Sequence, residues 1–182
     1  MNNFKYKKVK NFLSRDELNL LTTYCKLRHK TNFNTFQFNH FGSKNCDTSF
    51  YGDCMMESTM LNKLQLMEQE TGLELLPTYS FWRCYTKFAD LAPHSDRPSC
   101  EYSVTVMIDS DKTDWPIVID DKSFTLERGD ALIYKGCDFI HKRDEFHGDY
   151  HMQVFLHYVD KQGPNKEWHL DKRLMLGMPP NK

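Results

Sequence analysis

The sequence has no long apolar run, no excess of one charge and no closely spaced pair of cysteines. No apolar stretch approaches the ~20 residues that a membrane-spanning helix needs, and the first residues lack the apolar core of a secretory signal. Lys and Arg together number 24 and Asp and Glu 25, a balance that argues against binding to nucleic acid or to an anionic membrane. At 182 residues, the chain is expected to form a single domain over 1–182.

The six cysteines are scattered at positions 25, 46, 54, 84, 100 and 137. No two of them lie within four residues of each other, which excludes a CxxC zinc or thioredoxin motif. A chain of this size needs no disulfide framework to fold. We therefore expect reduced thiols and a cytoplasmic location for the protein.

The first part of the sequence predicts two helices. Ser14 and Glu17 have the spacing of a capping box, and the apolar residues after them predict a helix over about 15–27. A second helix is predicted over about 57–71, with Gly72 as its stop signal. The stretch 28–53 between the two helices is predicted to be a loop or an irregular hairpin.

After residue 77 the pattern changes to short runs of aromatic and β-branched residues separated by turn residues. These runs predict strands over 78–86, 102–109, 115–120, 123–127, 131–134 and 152–160. Short strands after a helical start predict an α+β, mainly β fold, a sandwich or jelly roll with helices packed on one face. We expect helical and loop support over 1–76, a β core over 77–160 and a loosely packed C-terminal extension over 161–182.

Eight histidines raise the question of a metal site. A mononuclear non-haem iron site needs two imidazoles and one carboxylate on one face, with open positions for substrate and oxygen. Three His-x-Asp tripeptides are present, beginning at His94, His147 and His169, where chance alone predicts roughly one. Only the first is followed by several predicted strands. Its third ligand is expected from a later strand on the opposite sheet.

The candidate for that third ligand is His141, which follows the predicted strand 131–134 and a short loop. The predicted metal ligands are therefore His94, Asp96 and His141. Three other histidines are predicted to be surface residues or capped core residues without a metal role, namely His29, His40 and His169.

Four parts of the sequence share one pattern: Arg-Cys-Tyr at 83–85, His-Ser-Asp-Arg-Pro-Ser-Cys at 94–100, Gly-Asp-Ala-Leu-Ile-Tyr at 129–134, and His141. In this order they resemble the Fe(II)- and 2-oxoglutarate-dependent dioxygenases, particularly the prolyl-4-hydroxylase-like group. The resemblance covers roughly residues 76–160 and implies a double-stranded β-helix core of the jelly-roll, cupin-like type. It also implies Fe(II) bound by the three predicted ligands, 2-oxoglutarate and O2 as co-substrates, and ascorbate as a supporting reductant. The implied reaction hydroxylates a substrate and releases succinate and CO2.

The resemblance further implies a binding site for 2-oxoglutarate. Tyr85 occupies the position, nine residues before the His-x-Asp, of a Tyr that supports the co-substrate, and Arg83 would point to the same side. The family usually has an Arg or Lys ten residues after the distal His, where this chain has His151, followed two residues on by Gln153. The far carboxylate pairs either with protonated His151 or with another cation, the candidates being Arg143, Arg83 and Lys135.

Arg97, next to Asp96, is predicted to steer the substrate or to pair with an acid near the rim of the site. The substrate stays open between a prolyl residue, a free amino acid and another small metabolite. Two alternatives to a dioxygenase stay open as well. One is a cupin-type metal enzyme in which Glu101 would join the ligands, and the other is a non-catalytic jelly-roll binding protein.

Overall fold

The structure, a computed structural model, describes residues 4–31 and 47–180. Residues 32–46 of the predicted loop or hairpin, with His40 and Cys46, lie outside the described residues. The described helices are α1 (Arg15–Thr31), α2 (Cys54–Asn62) and α3 (Leu64–Thr71). Two 3-10 segments follow later in the chain, Pro98–Cys100 and Lys166–Lys172.

Local chemistry explains where these helices begin and end. The Ser14 N–H donates to Glu17 Oε2 at 2.7 Å and the Glu17 N–H to Ser14 Oγ at 3.3 Å, so α1 starts at the predicted capping box. The helix predicted over 57–71 is in fact two helices, because Lys63, with a ψ of −1°, interrupts the regular backbone between α2 and α3. Gly72 ends α3 in the left-handed conformation with a φ of 71°, as its position predicts.

The described strands form two antiparallel sheets. In chain order they are β1 (Tyr6–Val9), β2 (Asp47–Tyr51), β3 (Leu75–Thr86), β4 (Leu91–His94), β5 (Tyr102–Ser110), β6 (Ile117–Ile119), β7 (Lys122–Phe124), β8 (Ala131–Tyr134), β9 (His141–Arg143) and β10 (Tyr150–Asp160). The major sheet has the order β1-β8-β5-β10-β3-β2, and the minor sheet has the order β4-β9-β6-β7. The three helices contact strands of the major sheet, which confirms the predicted mainly β class.

Four of these strands lie outside the predicted runs, namely β1, β2, β4 and β9. β1 and β2 fall in the segment predicted as helical and loop support, yet they form the two edges of the major sheet. Edge strands carry few buried apolar residues, and β1 exposes Lys7 and Lys8. β9 is only three residues long and includes two cations, so its composition gives no strand signal.

The two faces of the major sheet differ in chemistry. Because side chains alternate along a strand, Trp82 and Cys84 of β3 join the apolar core beneath the helices. Arg83 and Tyr85 of the same strand point to the opposite face and line a cavity between the sheets. The same alternation holds in β10, where Val154 and Leu156 face the core and Phe155 and His157 face the cavity. The helices therefore stabilise the sheet from one side and leave the polar side available for a site.

The C-terminal extension is docked on the core, so the expectation of loose packing is wrong. Arg173 has a fully buried side chain, and its guanidinium lies 2.7 Å from Glu57 Oε1 in α2. The same guanidinium donates to the carbonyl of Thr78 at 2.8 Å. The polar composition of the extension predicts exposure, and only the position of its partners shows that these charges can be buried.

No helix among the described residues is both long and apolar enough to cross a bilayer. The described cysteines, at positions 25, 54, 84, 100 and 137, are free thiols, in agreement with their spacing in the sequence. The cytoplasmic location and the segment boundaries at residues 76 and 160 stay predictions.

Candidate metal centre

The three predicted ligands meet at one end of the minor sheet. His94 is the last residue of β4 and His141 the first residue of β9, and the two are direct cross-strand partners. Their ring centroids are 4.3 Å apart, and Asp96 follows two residues after β4. The expectation that the third ligand comes from the opposite sheet is therefore wrong. Pairing between neighbouring strands, rather than contact between sheets, brings the two imidazoles together.

The donor atoms of this cluster face one another. Asp96 Oδ1 lies 3.6 Å from His94 Nε2 and 3.5 Å from His141 Nε2. Each Nδ1 lies by a backbone carbonyl, that of Ala92 at 2.9 Å for His94 and that of Phe139 at 3.1 Å for His141. Because a carbonyl only accepts, each Nδ1 carries a proton, and the Nε2 directed toward Asp96 can take up either a metal ion or a second proton. Two imidazole nitrogens and a carboxylate oxygen on one side fit a divalent transition metal such as Fe(II).

The electrostatics of the cluster favour a bound cation. Burial alone would raise the pKa of Asp96, but hydrogen bonds with His141 and His94 outweigh it and hold the pKa well below its usual range. Burial opposes protonation of His94, yet the carboxylate of Asp96 raises its pKa above the ordinary value. The site therefore presents an ionised carboxylate to whatever positive charge lies between the three side chains.

The cluster opens into a cavity of about 310 Å³ between the two sheets. Three further predicted site residues line it, Arg83, Tyr85 and Arg97, and the aromatic rings of Tyr79, Phe81, Tyr134 and Phe155 form much of its wall. Arg83 is buried with its guanidinium 4.6 Å from the centre of the Tyr85 ring. The predicted residues Arg143, His151 and Gln153 lie outside this lining.

Arg143 is a buried cation two residues after His141 on β9, and it lines a separate groove together with His151. Its Nη2 donates to Gln153 Oε1 at 2.8 Å, its Nη1 donates to the carbonyl of Trp115, and Gln153 in turn donates to Thr105. Its Nε has no hydrogen-bond partner among the described residues, and no carboxylate among them acts on the guanidinium. Burial lowers the pKa of Arg143 to about 10, so the guanidinium is charged at neutral pH.

Two of the other candidate cations, His151 and Lys135, are less suited to a carboxylate in the cavity. Burial and the charge of Arg143 lower the pKa of His151 to about 3, so its imidazole is neutral near pH 7. Like Arg143, His151 lines a groove separate from the metal cavity, so its neutral charge is what sets it apart. Lys135 pairs with Asp138 at 2.6 Å. Protonated His151 is thus a poor substitute for the Arg or Lys that the resemblance led us to expect.

Arg97 pairs with an acid near the rim, one of its two predicted roles. Its two terminal nitrogens donate to the two carboxylate oxygens of Asp171, both at 2.7 Å, and its guanidinium lies 4.7 Å from the centre of the Tyr79 ring. Tyr51 donates to the same carboxylate. Asp171 belongs to the third His-x-Asp tripeptide, whose histidine was predicted to have no metal role. Its acid nevertheless holds Arg97, which lines the cavity next to Asp96 in the sequence.

Two residues next to the cluster were not predicted. Ser103 of β5 donates to Asp96 Oδ2 at 3.2 Å, and His157 of β10 lies with Nδ1 2.8 Å from the Ser103 hydroxyl. Burial lowers the pKa of His157 to about 4. The sequence could have indicated His157, because it lies an even number of residues after His151 and Gln153 on β10. Side chains at such positions point to the same face of a strand.

The structure places the Glu101 carboxylate away from the cluster. Its Oε2 accepts the backbone N–H of Asp160 at 3.1 Å, and the residue is absent from the lining of the metal cavity. The fourth ligand that a cupin-type site would need from Glu101 is therefore not in place.

No family model matches this sequence, and comparison with curated proteins finds no match. The fold does match solved structures. A prolyl-4-hydroxylase from Pseudomonas putida aligns with a TM-score of 0.67 at 13% identity, over 87% of this chain and 94% of that one. The non-haem alpha-ketoglutarate-dependent epimerase SnoN of nogalamycin biosynthesis aligns with a TM-score of 0.70 at 13% identity, over 98% and 88%. EctD from S. alaskensis, solved with 2-oxoglutarate and 5-hydroxyectoine, aligns with a TM-score of 0.67 at 14% identity, over 93% and 80%.

These neighbours include prolyl hydroxylases and other 2-oxoglutarate- and Fe(II)-dependent oxygenases. Their core is the double-stranded β-helix, and the two antiparallel sheets of this chain form the same core. The predicted fold class is thereby confirmed. At identities of 13–14%, the comparison shows the fold, and the chemistry must be argued from the residues of this chain.

Proposed function

We propose that the protein is an Fe(II)- and 2-oxoglutarate-dependent dioxygenase that hydroxylates a small molecule or a peptide. The observation that carries the proposal is the convergence of His94, Asp96 and His141 at the end of the cavity. These three side chains would hold Fe(II) on one face and leave the other face open toward the cavity. When bound, Fe(II) together with 2-oxoglutarate and O2 supplies the oxidising chemistry, with release of succinate and CO2.

The buried charge of Arg143 supports 2-oxoglutarate as the co-substrate. An arginine without a carboxylate partner is costly to bury, and a dicarboxylate ligand would supply the missing charge. Arg143 lies two residues after His141 on β9, so the two side chains share a face about 7 Å apart along the strand. That spacing suits a five-carbon dicarboxylate with its keto-acid end at the metal. Tyr85 and Tyr134, which line the cavity, lie within electrostatic range of the guanidinium.

The rest of the cavity would position the substrate and exclude water. Its wall is largely aromatic, and Arg97 is held against Tyr79 by its bidentate pair with Asp171. The fixed guanidinium of Arg97, which follows the predicted metal ligand Asp96, gives the opening of the cavity a rigid polar edge. This arrangement supports either a prolyl residue in a peptide or a small metabolite as the substrate.

Anaerobic titration of the protein with Fe(II) and 2-oxoglutarate, followed by admission of air, tests the proposal. We expect saturable 2-oxoglutarate binding that requires the metal, and succinate formation that requires Fe(II), 2-oxoglutarate and O2 together, measured with ascorbate present. Metal binding without 2-oxoglutarate binding would favour the cupin-type alternative. Binding of neither would favour a non-catalytic jelly-roll protein.

Replacing Arg143 with glutamine is expected to weaken 2-oxoglutarate binding about thirtyfold or more. The reason is that a charge-assisted hydrogen bond contributes about 2 kcal/mol, and 1.4 kcal/mol corresponds to a factor of ten. The matched comparison is Arg83→Gln, which removes the other buried guanidinium near the site. Isothermal titration in the presence of Fe(II) or Mn(II) measures both. If Arg83→Gln weakens 2-oxoglutarate binding as much as Arg143→Gln or more, the far carboxylate is assigned to Arg83 instead.

A further inference from the structure

The two oxygens of the Asp96 carboxylate have different surroundings. Oδ1 faces the imidazoles of His94 and His141, whereas Oδ2 accepts a hydrogen bond from Ser103 Oγ at 3.2 Å. The backbone N–H of Asp96 is held by the carbonyl of Gly136 at 2.9 Å. The carboxylate is therefore fixed from behind as well as directed toward the candidate metal position.

Gly136 allows this close approach. A Cβ added there would come within 2.6 Å of the Cys100 carbonyl and 2.9 Å of Ser103 Oγ, and it would collide with Asp96 Oδ2. Ordinary side chains cannot occupy such a space. The local backbone thus keeps Oδ2 and the Ser103 hydroxyl next to each other.

The Ser103 hydroxyl is itself held by His157. Ser103 and His157 are paired across β5 and β10, and His157 Nδ1 lies 2.8 Å from Ser103 Oγ. Ser103 Oγ also lies 3.1 Å from the carbonyl of Cys100, so its one proton is shared between that carbonyl and Asp96 Oδ2, and Ser103 must accept from the N–H of His157. Both side chains are buried, and the His157 ring packs 4.5 Å from the ring of Tyr79. The hydrogen-bonded series His157–Ser103–Asp96 therefore runs from the cavity wall to the candidate metal ligand Asp96.

We propose that Ser103 and His157 are positioning residues that keep Asp96 a one-oxygen ligand of the metal. The inference rests on the proposed function, because it needs a metal at His94, Asp96 and His141. With Oδ2 engaged by Ser103, only Oδ1 is available for coordination. A carboxylate that bound through both oxygens would take one of the positions that co-substrate and O2 require. Partners that orient a ligand in this way raise metal affinity about 10- to 100-fold.

Co(II) binding to the full-length protein tests the proposal without turnover. We expect Ser103→Ala to weaken Co(II) binding by about 10- to 100-fold and to reduce the intensity of the Co(II) visible absorption, since a two-oxygen Asp96 raises the coordination number. Ser103→Thr keeps the hydroxyl and should retain both properties. His157→Phe should change the Co(II) affinity and the absorption in the same direction as Ser103→Ala. His157→Asn replaces the Nδ1 donor with an amide and should restore both properties in part.

Ser80→Ala is the matched control. Ser80 is also a buried serine of the major sheet, but its hydroxyl has no hydrogen-bond partner among the described residues and does not contact Asp96. We expect its Co(II) affinity and spectrum to equal those of the wild type. Thermal unfolding of each variant shows whether it is folded. If Ser103→Ala does not fold, the pair His157→Phe and His157→Asn decides the question.

Three outcomes would overturn the inference. The first is a folded Ser103→Ala variant that keeps the wild-type Co(II) affinity and spectrum. If Ser103→Ala does not fold, the same result in His157→Phe has this meaning. Either result would leave the proposed function intact. A second Co(II) bound per chain would also overturn it, because Asp96, Cys100 and His157 have donor atoms close enough to form another site. Absence of Co(II) binding in the wild type would overturn the proposed function and this inference together.

Discussion

Replacing His141 with alanine is expected to abolish metal-dependent 2-oxoglutarate binding and to bring succinate formation below detection. His141 is buried and provides one of the three donor atoms of the cluster, with Nε2 3.5 Å from Asp96 Oδ1. Loss of an outer hydrogen-bond partner already costs about 10- to 100-fold in metal affinity, so loss of a ligand should cost more than 100-fold. Calorimetric titration with Mn(II) and a succinate assay with Fe(II) measure the two effects.

His147→Ala is the control for this prediction. His147 begins another His-x-Asp tripeptide, and its side chain is 70% exposed, so the same substitution there should leave metal binding and succinate formation unchanged. The contrast separates the position of a histidine in the fold from the tripeptide pattern that surrounds it. Equal metal affinity in the two variants would show that the ligand assignment is wrong.

Replacing Arg173 with methionine should lower the free energy of unfolding by about 3–5 kcal/mol, the usual effect of leaving one partner of a buried ion pair without the other. The side chains of Arg173 and Glu57 are 0% and 2% exposed, and their closest charged atoms are 2.7 Å apart. The Glu57 carboxylate would then be buried without its counter-charge. For a chain of this size the change corresponds to a drop of roughly 6–20 °C in Tm, measurable by thermal unfolding.

Two further variants make this stability prediction specific. The double variant Glu57→Leu with Arg173→Met should regain most of the lost stability, because both charges are then replaced by apolar groups. Lys161→Met removes an exposed pair, since Lys161 and Glu74 are 51% and 65% exposed, and should change the stability by less than about 1 kcal/mol. A loss in Arg173→Met no larger than in Lys161→Met would mean that the extension is not anchored by this pair.

The features predicted best from the sequence depend on residues that are close along the chain. The capping box of Ser14 and Glu17 needs only the first turn of a helix. The left-handed Gly129, with a φ of 84°, completes the turn between the predicted strands 123–127 and 131–134, in which the Asp130 N–H donates to the Glu127 carbonyl at 2.9 Å. Such elements form wherever the local sequence allows, so their position can be read without knowledge of the fold.

The candidate site was predictable only in part. His94 and Asp96 lie one residue apart and could be chosen together, and the order of the predicted strands favoured His141. The sheet that holds His141 was predicted wrongly, because three-residue β9 has too little pattern to reveal its pairing with β4. The choice of Arg143 over His151 depends on the burial of His151 and on the nearness of its imidazole to the charge of Arg143, which together keep that imidazole neutral near pH 7. Neither property can be seen from residue type or spacing.

By itself, the sequence determined the mainly β class, the start of α1, the end of α3 and the His-x-Asp tripeptide that supplies two of the three candidate metal ligands. Only the tertiary structure decided which distant polar groups meet around that tripeptide. Ser103 and His157 are 54 residues apart, and Arg97 and Asp171 are 74 residues apart. Hydrogen bonds and ion pairs between such groups depend on strand register and on burial, and these follow from packing of the whole chain.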